Sequence, residues 1–126
     1  MWVRPTLLVS LAFPLFTAGC WSDTNTLDRG ELVGFKIGAT KRAVFETAHR
    51  NQIDGLIADL ELLDQPSSTY NDKYKGVPIR LEDYERVSVS DKWHIGLPDC
   101  NSWLVLIFTD GALVKIEEHE WTGPTK

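Results

Sequence analysis

A chain of 126 residues has room for one small domain and not for two. Its 13 Lys and Arg against 18 Asp and Glu give a formal net charge of −5, which argues against nucleic acid, because phosphate binding needs a basic patch. At 43% hydrophobic the chain is too apolar to stay disordered, although much of that content lies in the first 19 positions.

The N-terminus reads MWVRPTLLVSLAFPLFTAG. One positive charge, Arg4, precedes an apolar run from Leu7 to Phe16, and the small residues Thr17, Ala18 and Gly19 lead to Cys20. This is the three-part layout of a secretory signal, too short to span a bilayer of roughly 20 helical residues. The Thr17-Ala18-Gly19-Cys20 end resembles the lipobox of bacterial lipoproteins, with Thr17 where an aliphatic residue is more usual. That resemblance implies lipidation of Cys20 after removal of residues 1–19; the alternative is an ordinary secretory signal with an incidental cysteine. Acyl chains would hold the protein to a membrane by about 0.8 kcal/mol per buried methylene. With Cys20 lipidated, Cys100 has no partner within the chain and is buried, paired between chains or reactive, burial being the usual fate of a free cysteine; without lipidation the two cysteines could pair.

Loss of Arg4 with the signal leaves a mature charge of −6. Residues 20–31 then read as the lipidated cysteine and a flexible tether, since WSDTNTLDRG is polar and glycine-ended. The single domain is expected over 32–126. Leu32–Ile37 is an apolar patch of open type. Thr40 is a good N-cap for a helix over Lys41–Arg50, where Ala43, Val44, Phe45, Thr47 and Ala48 share one face. Arg42, Glu46, His49 and Arg50 take the other; Glu46 and Arg50 form an i,i+4 pair, and Asn51 can end the helix.

Ile53–Leu63 fits both periods. Ile53, Leu56, Ile57, Leu60 and Leu63 suit a helical face, whereas Leu56, Ala58, Leu60 and Leu62 alternate as a strand, and the short span after Gly55 favours the strand. Asp64–Gly76 is a long polar loop whose Tyr70 and Tyr74 are candidate contacts. The C-terminal half reads as a β meander. Val87, Val89, Trp93 and Ile95 form one face of a first strand, opposite Arg86, Ser88, Ser90, Lys92 and His94. Gly96-Leu97-Pro98-Asp99 is a turn, and Asp110-Gly111 is a two-residue hairpin turn between Trp103–Thr109 and Ala112–Trp121.

A regular ladder from that turn puts Phe108 opposite Leu113, Ile107 opposite Val114, Leu106 opposite Lys115 and Val105 opposite Ile116. Val105, Ile107, Val114 and Ile116 would then form the core face. Leu104, Leu106, Phe108 and Leu113 would lie on the second face, which either the chain's own N-terminal segment covers or a partner does. They are the candidate partner-binding residues, with Tyr70 and Tyr74 as secondary contacts.

No phosphate loop, GxSxG, HExxH or CxxC occurs. Glu117-Glu118-His119-Glu120 does not suggest a metal site, because alternation sends Glu118 and Glu120 away from Glu117 and His119. A thiol–imidazole pair of Cys100 with His94 or His119 lacks any orienting group. Trp93, Trp103 and Trp121 read as core or rim packing. The residues therefore suggest no enzyme, no catalytic residue, no metal and no cofactor.

A lipobox-like Cys20, the run Ile37-Gly38-Ala39-Thr40-Lys41-Arg42-Ala43-Val44-Phe45 and the hairpin Leu104–Ile116 together resemble the small outer-membrane lipoproteins of the BamE (SmpA/OmlA) type. The Leu-Gly-x-Pro that closes the helix in that family is replaced here by His49-Arg50-Asn51-Gln52, and the segment from Gln52 to Tyr84 is longer. The resemblance implies two short helices packed on a three-stranded antiparallel sheet; with the elements read above, the expected fold is α+β, one or two short helices packed on a three- to four-stranded antiparallel β meander. It also implies a non-catalytic envelope protein that binds a protein partner as an accessory in outer-membrane assembly or stability, anchored by lipid at the periplasmic face of the outer membrane. Neither a nucleic acid nor a small-molecule substrate is suggested. The alternative is an inhibitor or immunity-type lipoprotein that neutralises a toxin or hydrolase.

Overall fold

A computed structural model describes residues 22–65 and 78–121. In chain order they form β1 (Ser22–Leu27), β2 (Glu31–Leu32), β3 (Phe35–Lys36), α1 (Lys41–Ile53), β4 (Asp59–Leu62), a 3-10 turn (Leu81–Asp83), α2 (Tyr84–Val87), β5 (Lys92–Gly96), β6 (Ser102–Thr109) and β7 (Ala112–Trp121). The long strands make a five-stranded antiparallel sheet in the order β1-β7-β6-β5-β4, and β2 and β3 form a separate two-stranded ribbon. The fold is α+β with short helices on an antiparallel sheet, as the sequence predicts, and the sheet is one strand wider than expected.

The additional strand is β1. Ser22–Leu27, expected as part of a flexible tether, is hydrogen-bonded along β7 from Ser22↔Trp121 to Leu27↔Ile116. Its polar composition hides it from a search for apolar alternation, because it is an edge strand in which, over Thr24–Leu27, only Leu27 is partly buried. The apolar patch at Leu32–Ile37 resolves into the β2–β3 hairpin, turned by Val33 (φ 53°) and Gly34 (φ 80°).

Helix α1 starts where the sequence places it. Thr40 is extended, and its Oγ1 accepts a hydrogen bond from Ala43 N at 3.1 Å. Lys41, Val44, Phe45, Ala48 and Asn51 are buried, the i, i+3, i+4, i+7 spacing of one helical face. Asn51 does not end the helix. Its side chain is buried and donates to Val33 O at 2.7 Å, so the helix runs on to Ile53 and stops before Gly55, in the left-handed region at φ 79°. On the outward side Arg42 pairs with Glu46 at 3.3 Å, and Arg50 donates to Thr47 Oγ1 at 3.4 Å.

Ile53–Leu63 divides between the two predicted readings. Ile53 closes α1, while Asp59–Leu62 is a strand that buries Leu60 and Leu62. Farther on, the strand expected to include Val87 and Val89 begins only at Lys92. Leu81–Val87 instead turns helically, burying Val87 and leaving Val89 64% exposed. The alternation that suggests a strand there is coincidental with an i, i+3, i+6 series at Leu81, Tyr84 and Val87.

The β6–β7 hairpin carries the main correction. Asp110 (φ 53°) and Gly111 (φ 79°) form the expected tight turn, and Phe108 faces Leu113. A bulge between Ile107 and Phe108 then shifts the ladder by one, so that Ile107 faces Lys115 and Leu106 faces Ile116. Val114 is the extra residue and is 39% exposed. One bulged residue moves every later side chain of β7 to the opposite face. The core face is therefore Leu104, Leu106, Phe108, Leu113 and Ile116, joined by Trp93, Ile95, Leu60 and Leu62 from β5 and β4. Val105 and Ile107 lie on the other face, and Ile116 lies in the core instead of beside them as expected.

Val44, Phe45 and Ala48 of α1, Phe35 of β3, and Ile57, Ile79 and Val87 complete the core. Trp93 sits at its centre, 4.5 Å from the Phe108 ring and 6.3 Å edge-on to Phe45, with Nε1 donating to Ser90 O at 3.0 Å. The helix is fixed across the tip of the hairpin by Gly38 N to Leu113 O (2.7 Å), Leu113 N to Ala39 O (2.9 Å) and Lys41 N to Gly111 O (2.9 Å). Lys41 is buried beside it, with Nζ bound to Ser88 O at 2.8 Å and Asp91 at 2.7 Å, and 5.4 Å from the Phe108 ring centre.

Candidate functional site: the outer sheet face

Four of the predicted partner-binding residues are in the core. Leu104, Leu106 and Leu113 have no exposed surface, and Phe108 has 3%. The chain's own helix and N-terminal ribbon cover them, so they form no docking surface in this fold. Tyr70, Tyr74 and Cys20 lie outside the described residues.

The opposite face of the sheet is different in kind. On this face Trp103 of β6 is directly opposite His119 of β7 and diagonal to His94 of β5, and the three rings line up in one row. The His94 and Trp103 rings are stacked with centroids 6.1 Å apart and a 22° tilt. Trp103 and His119 are parallel at 5.2 Å. These are offset stacks, the arrangement that ring quadrupoles favour. His119 is fixed at both nitrogens, since Nε2–H donates to Glu117 Oε1 at 3.1 Å and Nδ1 lies 3.1 Å from Thr24 Oγ1. Val105 and Ile107 continue the face along β6, with Val105 5% exposed and Ile107 half-buried. The expected separation within Glu117–Glu120 holds: Glu118 and Glu120 line a polar hollow with Asn25, Asp99 and Ser102, away from His119.

At the β4 end of this face is a cleft of about 320 Å³ lined by Asp59, Glu61, His94, Leu97, Cys100 and Trp103, among others. Glu61 is directly opposite His94, and Asp59 is opposite Gly96. Asp59, Glu61 and His94 each offer one ligand atom, all within 4.8 Å of one another and all on half-buried residues. The sequence reading suggests no metal here, because the three residues meet only through the β4–β5 pairing. The signal available was the i, i+2 spacing of Asp59 and Glu61, which puts two carboxylates on one side of a strand.

Cys100, for which burial, pairing between chains and reactivity are all open in the sequence, is exposed on the rim of this cleft. It occupies the left-handed region at φ 64°, and its thiol is 3.8 Å from Pro98 O. The turn that places it is built around Asp99. Its carboxylate accepts hydrogen bonds from Asn101 N at 2.9 Å and Ser102 N at 3.0 Å, and from the Ser102 hydroxyl. The Asn101 N–H and the Ser102 hydroxyl hold the Asp99 carboxyl below its ordinary range, against the small cost of desolvation. Asp64 similarly anchors the start of β5. Burial opposes its ionisation, but the Ser90 hydroxyl and Asp91 N–H outweigh that effect and lower its pKa.

Among the described residues no helix is long and apolar enough to cross a membrane. Compared with protein-family models, curated proteins and solved structures, the chain matches none.

Proposed function

We propose that this protein is a lipid-anchored cell-envelope protein, held at the periplasmic face of the outer membrane through Cys20, that acts by binding another envelope protein as an accessory in outer-membrane assembly or stability. The layout of residues 1–20 and the likeness to BamE-type lipoproteins support the anchoring and the setting. The observation that carries the binding role is the His94–Trp103–His119 row on the sheet face away from α1. Aromatic side chains backed by a rigid sheet supply large contact area at low entropic cost, which is why they are enriched at protein interfaces.

Fatty-acid labelling of the full chain in a bacterial host tests the anchor: label is expected on the wild type and absent from Cys20→Ser, which moves to the soluble fraction. Trp103→Ala tests the surface. It removes the centre of the row while leaving the core intact, so the variant keeps its fold and loses co-purification of the partner that the wild type retains. Full retention of that partner, or an unlabelled wild type, contradicts the reading.

A further inference from the structure

Asp59, Glu61 and His94 form, we infer, a binding site for a divalent first-row transition cation of the Zn2+ class. The inference goes beyond the binding role proposed above and does not depend on it. One imidazole nitrogen and two carboxylate oxygens are a ligand set that suits Zn2+, whereas Mg2+ and Ca2+ favour oxygen ligands alone. Ligand atoms around tetrahedral Zn2+, at bond lengths of about 2.0–2.2 Å, lie roughly 3.4 Å from one another. The observed separations of up to 4.8 Å close to that value with side-chain movements of less than about 1 Å each.

Three further features make this a built arrangement and not a chance meeting of surface acids. The residues come from two hydrogen-bonded strands in fixed register, with Glu61 opposite His94. Trp103 stacks on the His94 ring and sets its plane. Gly96 leaves room for the Asp59 carboxylate, because a Cβ there would lie 2.4 Å from Asp59 Oδ1. The 320 Å³ cleft beside the three residues gives a bound ion access to water at its remaining coordination positions. Cys100 is on the rim but outside the ligand group.

The test is calorimetric titration of ZnCl2 into the untagged full chain, solubilised in mild detergent and stripped of metal beforehand. One equivalent should bind, and Asp59→Asn, Glu61→Gln and His94→Gln should each weaken binding at least tenfold. Cys100→Ser and His119→Gln should stay within twofold of wild type. Gly96→Ala keeps all three ligands and displaces Asp59, so it should weaken binding too; with Glu61→Gln it keeps the test decisive if His94→Gln fails to fold. Co2+ in place of Zn2+ should give d–d absorption without thiolate charge transfer. Absence of saturable binding, affinity unchanged across the ligand variants, or a thiolate band that disappears in Cys100→Ser would overturn the inference.

Discussion

Replacing Leu106 by Ala probes the assignment of the two sheet faces. Leu106 has no exposed surface and lies between Trp93 on β5 and Ile116 on β7, both also fully buried. Leu→Ala in a core costs about 2.7–5 kcal/mol, depending on how far the neighbours collapse into the gap. Here they are poorly placed to do so. Trp93 is tethered through Nε1 to Ser90 O, and Ile116 is held on a central strand paired on both sides. The expected loss is therefore about 3–5 kcal/mol, a large part of the 5–15 kcal/mol typical of a small domain. Urea unfolding followed by tryptophan fluorescence and far-UV circular dichroism measures it, with Val114→Ala as the comparison. Val114 is 39% exposed at the bulge, and its truncation should cost no more than about 0.5 kcal/mol. A regular ladder, which places Val114 in the core and Leu106 on the second face, predicts the reverse order. A loss below about 1 kcal/mol at Leu106 with an unchanged urea slope would refute the face assignment.

Deleting Val114 should be tolerated better than Leu106→Ala, because Lys115 and Ile116 keep their partners Ile107 and Leu106 when the extra residue is removed; urea midpoints for the two variants decide it. Thr40→Ala should cost about 1 kcal/mol through loss of the hydrogen bond to Ala43 N, with Thr40→Ser recovering most of it in the same assay. Asp64→Asn should cost about 0.5–1 kcal/mol at pH 7, since the amide cannot accept from both Ser90 and Asp91 and the site is exposed. The native pKa of Asp64 is depressed, so the carboxylate's contribution is present above its ordinary value of 3.8 and is lost as pH falls below it. The gap between wild type and variant should accordingly shrink when unfolding is measured at about pH 3.

The parts of the fold that were legible in the sequence are those with local causes. Thr40 followed by an apolar helical face specifies the start of α1, and Asp110-Gly111 specifies its hairpin turn because few other residues accept two successive positive φ values. The parts that were not legible depend on partners distant in sequence. Ser22–Leu27 becomes a strand only because β7 offers it an edge, and no periodicity within those six residues announces this. The bulge at Val114 is invisible to a rule that counts pairs outward from a turn, although one inserted residue decides which face is core. The same limit applies to the site. His94 alternates with the polar residues of its strand and lies on the outer face, but its meeting with Asp59 and Glu61 is set by pairing between strands far apart in sequence. His119 and Trp103 likewise become neighbours only through the shifted β6–β7 register.

The proposed function has this protein tethered to the envelope and meeting a protein partner with the outer face of its sheet. It is tested most directly by placing a photo-crosslinking amino acid at Lys115 or Ile107, on that face, and at Arg42 or Arg50, on the exposed side of α1. Irradiation of living cells should yield one discrete envelope-protein adduct from Lys115 and Ile107, none from the helix positions, and none from any position when Cys20→Ser is added. Adducts of equal strength from both sides of the molecule, or an outer face that captures nothing while the helix does, would contradict it.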